Sequence, residues 1–210
     1  KSADTLVTIG KLLEELFPIY RSLTGEGNRR TLKVLSEIHP IQIKEIPSGT
    51  QVYDWLVPNE YTVREAWVKD SQGKTVIDFG VCNLHLVGYS SPVSEKMTFD
   101  DLKSRLFTSK ELPGAIPYRT SYYKEDWGFC CTAEQKDELS KEKDKLQVYI
   151  DSEFDNEGSM TYGEVIVPGR VSKEILVSTY ICHPSMANDN LSGPILSILL
   201  AKTLSQKRSL

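Results

Sequence analysis

The segment Glu174-Ile-Leu-Val-Ser-Thr-Tyr-Ile181 is apolar at most positions instead of alternating, and it runs straight into His183. A strand of that texture needs cover on both faces, typically in a parallel sheet sandwiched between helices. A short polar loop follows and delivers Asp189 to the start of an apolar stretch, Leu191 to Leu204, that reads as a helix. Pro194 falls in its first turn, where a missing N–H costs nothing. A buried strand, a histidine at its carboxyl end and a carboxylate at the next helix entrance is how an open α/β sheet builds a ligand site.

The remainder of the chain must be compatible with that unit. Near the start, Leu6, Ile9, Leu13 and Leu16 share one helical face, with Asp4 or Thr5 as cap and Pro18 as stop. A turn cluster, Ser22 to Asn28, leads to a second helix from about Asn28 to Ile38, striped by Leu32, Leu35 and Ile38 and closed by Pro40. From Ile41 to about Tyr89 the texture becomes β-favouring, with a hairpin predicted across Asp70-Ser-Gln-Gly-Lys and a strand at Asn83 to Tyr89. Thr98 to Phe107 reads as a short capped helix, and Ile116 to Phe129 as an aromatic segment. Ala133 to Leu146 alternates in charge sign and reads as a solvated helix or connector. Strand patterns return at Leu146 to Ile150 and Tyr162 to Gly169. The expected architecture is an α/β domain from residues 1–50 and 133–210, with a small β-rich module, residues 51–132, inserted into it.

Bulk properties exclude several function classes. A net charge of −4 and a pI near 5.5 argue against a nucleic-acid partner, which calls for a basic face. No apolar stretch is long enough to span a membrane, and no secretory leader is visible. Cys82, Cys130, Cys131 and Cys182 form no CxxC pair, so a reduced, cytoplasmic protein is expected. Cys82 and His85 have a ligand-like separation, but no second pair completes a zinc knuckle.

The chemistry concentrates at His183 and Asp189. Neutral imidazole is a good zinc ligand, and a carboxylate can bind one metal or bridge two. One His and one Asp are not a metal site on spacing alone. The plainer alternative makes Asp189 or a neighbouring Asn a helix cap and His183 a polar residue at a strand end. Cys182 beside His183 suggests a thiol and its base, but adjacent residues of a continuing strand point to opposite faces. Tyr118, Arg119, Tyr122, Tyr123 and Trp127 suit carbohydrate stacking or recognition of a substrate carboxylate, with domain packing as the alternative. Gly25-Glu-Gly lacks a preceding strand and a third Gly, so it does not support a nucleotide site. His39, His85 and Glu164 read as structural or surface residues.

Asp189-Asn-Leu-Ser-Gly resembles the Asp-x-x-Ser-Gly segment of co-catalytic zinc aminopeptidases of the bacterial leucyl aminopeptidase and glutamate carboxypeptidase type. The block Ser178 to Gly193 looks more specifically like a bacterial branch of that clan with an inserted β-domain, often found beside polysaccharide biosynthesis genes. Phe17-Pro-Ile-Tyr-Arg-Ser-Leu-Thr-Gly-Glu-Gly, Pro117 to Cys130 and Gly158-Ser-Met-Thr-Tyr-Gly-Glu extend the resemblance over nearly the whole chain.

The resemblance implies a phosphorylase/hydrolase-type mixed sheet flanked by helices, and a site of two zinc ions. In that site His183 binds one ion and Asp189 bridges both; Ser192 and Gly193 shape the helix entrance, and the Asp189–Asn190 peptide can be cis. It also implies a peptide or amide-bearing small-molecule substrate; Arg119 and Tyr118, from the aromatic segment, are the expected substrate-binding residues near the metal cleft, and a homo-oligomer is a further expectation. A rival expectation is a non-catalytic module that recognises carbohydrate or a partner protein. One departure is Ser185, where the clan usually carries an Asp that orients the histidine. The general-base Glu and remaining ligands would lie beyond Leu210, so the chain corresponds to the N-terminal half and is expected to be inactive alone.

Overall fold

The computed structural model describes residues 2–121 and 124–207. It is a mixed α/β structure with several small sheets, and it divides into two compact units. The first comprises residues 1–60 and 155–210 and the second residues 61–154. The chain thus leaves the first unit after Glu60 and re-enters it at Asp155.

In the first unit, helix α1 (Ser2–Leu16) buries Leu12 and Leu16, with Ile9 and Leu13 packed beside them. Leu6, expected on that face, is exposed. The side chains of Asp4 and Thr5 lie outside those described. Helix α2 (Glu26–Ser36) buries Leu32 and Leu35. Strand β1 (Gln42–Pro47) pairs antiparallel with β10 (Ser159–Glu164), from Gln42 opposite Glu164 to Pro47 opposite Ser159. A minimal hairpin, β2 (Gln51–Val52) with β3 (Trp55–Leu56), follows β1. Arg29 of α2 fixes the chain at the crossing point: it grips Glu60 with two bonds of 2.6 and 2.7 Å, reaches Glu45 and donates to Ser159. A planar guanidinium suits that bidentate task, and its pull holds the Glu60 carboxyl below its usual range. Helix α5 (Ser192–Lys207) completes the unit by burying Pro194, Ile195 and Ile198, of which Ile195 and Ile198 join Leu12, Leu16, Ile19, Leu35 and Leu191 in one core.

The second unit is built on a four-stranded sheet in the order β5-β4-β9-β6. Its strands are β4 (Glu60–Lys69), β5 (Thr75–Asp78), β6 (Val93–Met97) and β9 (Leu146–Asp155). The β4–β5 hairpin forms across the Asp70 turn as expected; the Asp70 carboxylate accepts N–H bonds from Gln72 and Lys74. Strand β9 shows the period of two directly: Leu146, Val148, Ile150 and Ser152 are buried while their neighbours are not. Helix α3 (Phe99–Leu102) and helix α4 (Ala133–Ser140) each start with a capping box, Thr98 with Asp101 and Thr132 with Gln135. Strands β7 (Leu106–Phe107) and β8 (Phe129–Cys130) form a short parallel pair.

Several expectations are corrected. Residues 133–154, assigned above to the main domain, belong to the second unit, because β9 is ordered between β4 and β6 in its sheet, and residues 51–60, assigned to the inserted module, belong to the first. Asn83–His85 is a helical turn, not a strand. The helix at Thr98 is one turn long and then tightens and becomes β7. The largest difference concerns Glu174–Ile181. The segment is extended but not part of any sheet, and residues 169–180 are exposed, Ile175 at 93% and Leu176 at 89%. Among the described residues no strand lies alongside to accept its ladder bonds, so the expected parallel sheet is not formed.

His85 is a buried structural histidine. Its Nδ1 lies 2.7 Å from the Cys130 carbonyl, and burial lowers its pKa from the usual 6.5. The unfolded chain therefore takes up this proton first as pH falls. His85 stabilises the fold fully above about pH 6.5, and that contribution is lost as pH drops toward the folded value. Denaturant unfolding at pH 7.5 and 5.5 should show a loss on acidification that shrinks in His85→Gln; equal losses in both proteins would exclude His85 as the source. None of the described helices is long and apolar enough to cross a membrane.

Candidate metal centre

His183 and Asp189 sit on the loop joining the extended segment to α5. Two contacts hold the loop from below. The Arg21 side chain, only 1% exposed, donates from Nε to the His183 carbonyl at 3.0 Å and from Nη1 to the carbonyls of Leu16 and Ile19 at 2.6 and 3.1 Å. Ser185 donates its hydroxyl to the Phe17 carbonyl at 3.0 Å. The stretch after α1, where Pro18 stops the helix, is therefore the platform under His183. Burial pulls the Arg21 guanidinium down to about 10, which still leaves it charged at neutral pH. No carboxylate pairs with it among the described residues, and its Nη2 has no partner.

Asp189 lies in a non-helical stretch of the turn Ala187–Leu191 that leads into α5, and the Asp189–Asn190 peptide is cis. The Asp189 carboxylate accepts the Tyr180 hydroxyl at 2.6 Å. That bond pushes the Tyr180 phenol above its ordinary pKa, the carboxylate being a better acceptor for the neutral hydroxyl than a neighbour for a phenolate. The Tyr180 ring also stands 5.0 Å from the His183 ring, tilted by 45°. Asn190, buried, returns its amide to the Tyr180 carbonyl, while its own Oδ1 is buried without a partner. Leu191, fully buried, pins the turn into the core below. Gly193 gives the Thr179 side chain room at the helix entrance: a Cβ there would lie 2.2 Å from the Thr179 hydroxyl oxygen, which would have to turn away.

Imidazole and carboxylate are suitable zinc donors, and Tyr180 touches both of them. By donor chemistry the pair fits part of a zinc ligand set. Among the described residues no group of three or more His, Cys, Asp and Glu is placed to hold a metal. The Asp189 carboxylate is engaged by the Tyr180 hydroxyl and not by a backbone N–H of α5. Cys182 Sγ lies 3.1 Å from His183 Nδ1, closer than a continuing strand would allow, because the backbone here is not held in a sheet. Burial keeps the Cys182 thiol above its ordinary pKa, which favours the protonated form over a nucleophilic thiolate. Ser185, occupied with Phe17, does not take up the orienting role on His183.

The other singled-out residues have different surroundings. Arg119 belongs to the second unit, exposed, with its guanidinium 4.1 Å over the Phe107 ring; Tyr118 beside it is half-buried. Trp127 stacks under Arg105 at 4.7 Å, and Tyr122 and Tyr123 lie outside the described residues. Glu164 pairs with Lys44 across the β1–β10 ribbon, and His39 Nε2 meets the Ser205 hydroxyl at 3.3 Å. Sequence reasoning missed Arg21 and Tyr180. Both lay inside segments that carried the family resemblance, and a lone Arg directly after a helix stop was the available signal for the first.

A protein of Clostridium acetobutylicum named "Putative polysaccharide biosynthesis protein with aminopeptidase-like domain" is 48% identical over 208 residues, covering 99% of this chain and 47% of the relative. A crystal structure described as a "putative peptidase" from the same organism superposes with a TM-score of 0.93 at 49% identity, over 98% of this chain and 48% of that one. The chain thus spans about half the length of these relatives. Residues 10–210 match the family described as a domain of unknown function, DUF4910, and the chain belongs to that family.

Proposed function

We propose that this chain contributes His183 and Asp189 to the zinc centre of an aminopeptidase-like hydrolase of amide or peptide bonds, active in polysaccharide biosynthesis. The observation that carries the reading is the contact of one side chain, Tyr180, with both candidate ligands on a loop braced from beneath by Arg21 and Ser185. A pre-ordered carboxylate and imidazole at a helix entrance is what metal capture requires. The names of the relatives supply the reaction class and the biosynthetic setting.

Zinc at such a site would acidify a bound water and polarise the scissile carbonyl. The residues of this chain would bind and orient: His183 by a ring nitrogen, Asp189 by its carboxylate, and Arg21 by fixing the His183 main chain. The substrate is a peptide amino terminus or an amide on a sugar precursor.

Metal analysis of the protein produced at the full length of its relatives tests this reading. Close to two zinc ions per chain are expected, with hydrolysis lost on chelation and lost in His183→Ala. A full-length protein that takes up no zinc would instead support the non-catalytic carbohydrate- or protein-binding module.

A further inference from the structure

Tyr180 is half-exposed, belongs to neither hydrophobic core, and still contacts three residues of the loop that carries the candidate ligands. Its hydroxyl donates to Asp189 Oδ1 at 2.6 Å, its ring stands 5.0 Å from the His183 ring, and its carbonyl accepts the Asn190 amide. A phenol at 52% exposure has water available as an alternative partner, so its bond to Asp189 adds little to folding stability. What the bond does is restrict rotation. A carboxylate on a short turn samples several rotamers, and a donor aimed at one oxygen selects among them while leaving Oδ2 available.

We propose that Tyr180 is a positioning residue for the metal site, holding the Asp189 carboxylate through its hydroxyl and the His183 ring through its own ring. The inference rests on the reading of His183 and Asp189 as zinc ligands. It assigns to Tyr180 the part that a hydrogen-bonded partner plays behind a ligand, where loss of the partner typically weakens metal binding by about 10–100-fold.

The roles of hydroxyl and ring separate in two variants of the full-length protein, Tyr180→Phe and Tyr180→Leu. Zinc affinity is read by competition with a chromophoric chelator, and ligand geometry by the visible spectrum of the cobalt(II) form. Thermal unfolding of the metal-free protein reports any structural damage. Tyr180→Phe should weaken zinc binding roughly tenfold or more with an unchanged metal-free melting temperature. Tyr180→Leu should weaken it further and alter the cobalt spectrum. Equal zinc affinity in the native protein and Tyr180→Phe would overturn the proposal, as would a loss of affinity matched by a fall in metal-free stability. Absence of zinc binding by the native protein would remove the ligand assignment itself, and the proposal with it.

Discussion

Gly27→Ala is expected to destabilise the first unit by about 3 kcal/mol, although it places a better helix former inside α2. The added Cβ would lie 1.7 Å from the Tyr20 carbonyl oxygen and 2.7 Å from its carbon. Both are backbone atoms, so no side-chain rotation relieves the clash. Either the start of α2 or the Tyr20–Arg21 peptide must move, and Arg21 carries the hold on His183. Gly10 in α1 is the matched control. A Cβ there meets nothing within 4 Å, so Gly10→Ala should stabilise by up to about 1 kcal/mol through helix propensity alone. Thermal unfolding separates the two: a drop of roughly 10 °C for Gly27→Ala against a small rise for Gly10→Ala. Equal and small shifts at both positions would show that the Tyr20 carbonyl is not the constraint.

That constraint was not readable from Gly25-Glu-Gly, which as a sequence says only that a turn is present. Local features were legible wherever the chain decides them locally. The α2 stripe at Leu32 and Leu35, the Asp70 hairpin, the Thr98 cap and the alternation in β9 all follow from side-chain period or from a capping residue bonding its own neighbours. The α1 stripe was only partly right, Leu6 being exposed and Leu12 buried. Features that depend on a distant partner were not. Glu174–Ile181 has the composition of a buried strand, but a strand is completed by neighbours, and none is formed beside it among the described residues. Ile175, Leu176 and Val177 therefore stand in solvent, where the hydrophobic effect favours covering them. The placement of β9 shows the same limit: its alternation predicted a strand, while its sheet was decided by pairing with β6. At the candidate site, the sequence pointed to His183 and Asp189 through resemblance, whereas the bracing by Arg21, a contact across 162 positions, required the fold.

Arg21→Met should then be the most informative substitution at the platform. Methionine fills a similar volume without a charge, so the change removes an unpaired buried guanidinium whose desolvation opposes folding. Were that the whole effect, the variant would gain stability. The partners of Arg21, however, are main-chain carbonyls that remain in place. Leu16 keeps the Ile19 N–H as a second partner, but the Ile19 and His183 carbonyls lose the donor that Arg21 supplies. A buried acceptor left unsatisfied costs about 1–3 kcal/mol. Two such losses outweigh the relief of desolvation, and the expected net cost is about 2–4 kcal/mol. Arg21→Lys keeps the charge but cannot reach three carbonyls from one ammonium carbon chain, so it should recover little of the loss. Hydrogen exchange gives the sharper readout, because the effect must appear locally: amides of His183 and residues 185–191 should lose protection in Arg21→Met while those of β9 do not change. If protection falls evenly over the first unit and the loop shows no excess, Arg21 is a core residue only. If the loop opens selectively, the platform beneath His183 is what keeps the candidate ligands in register.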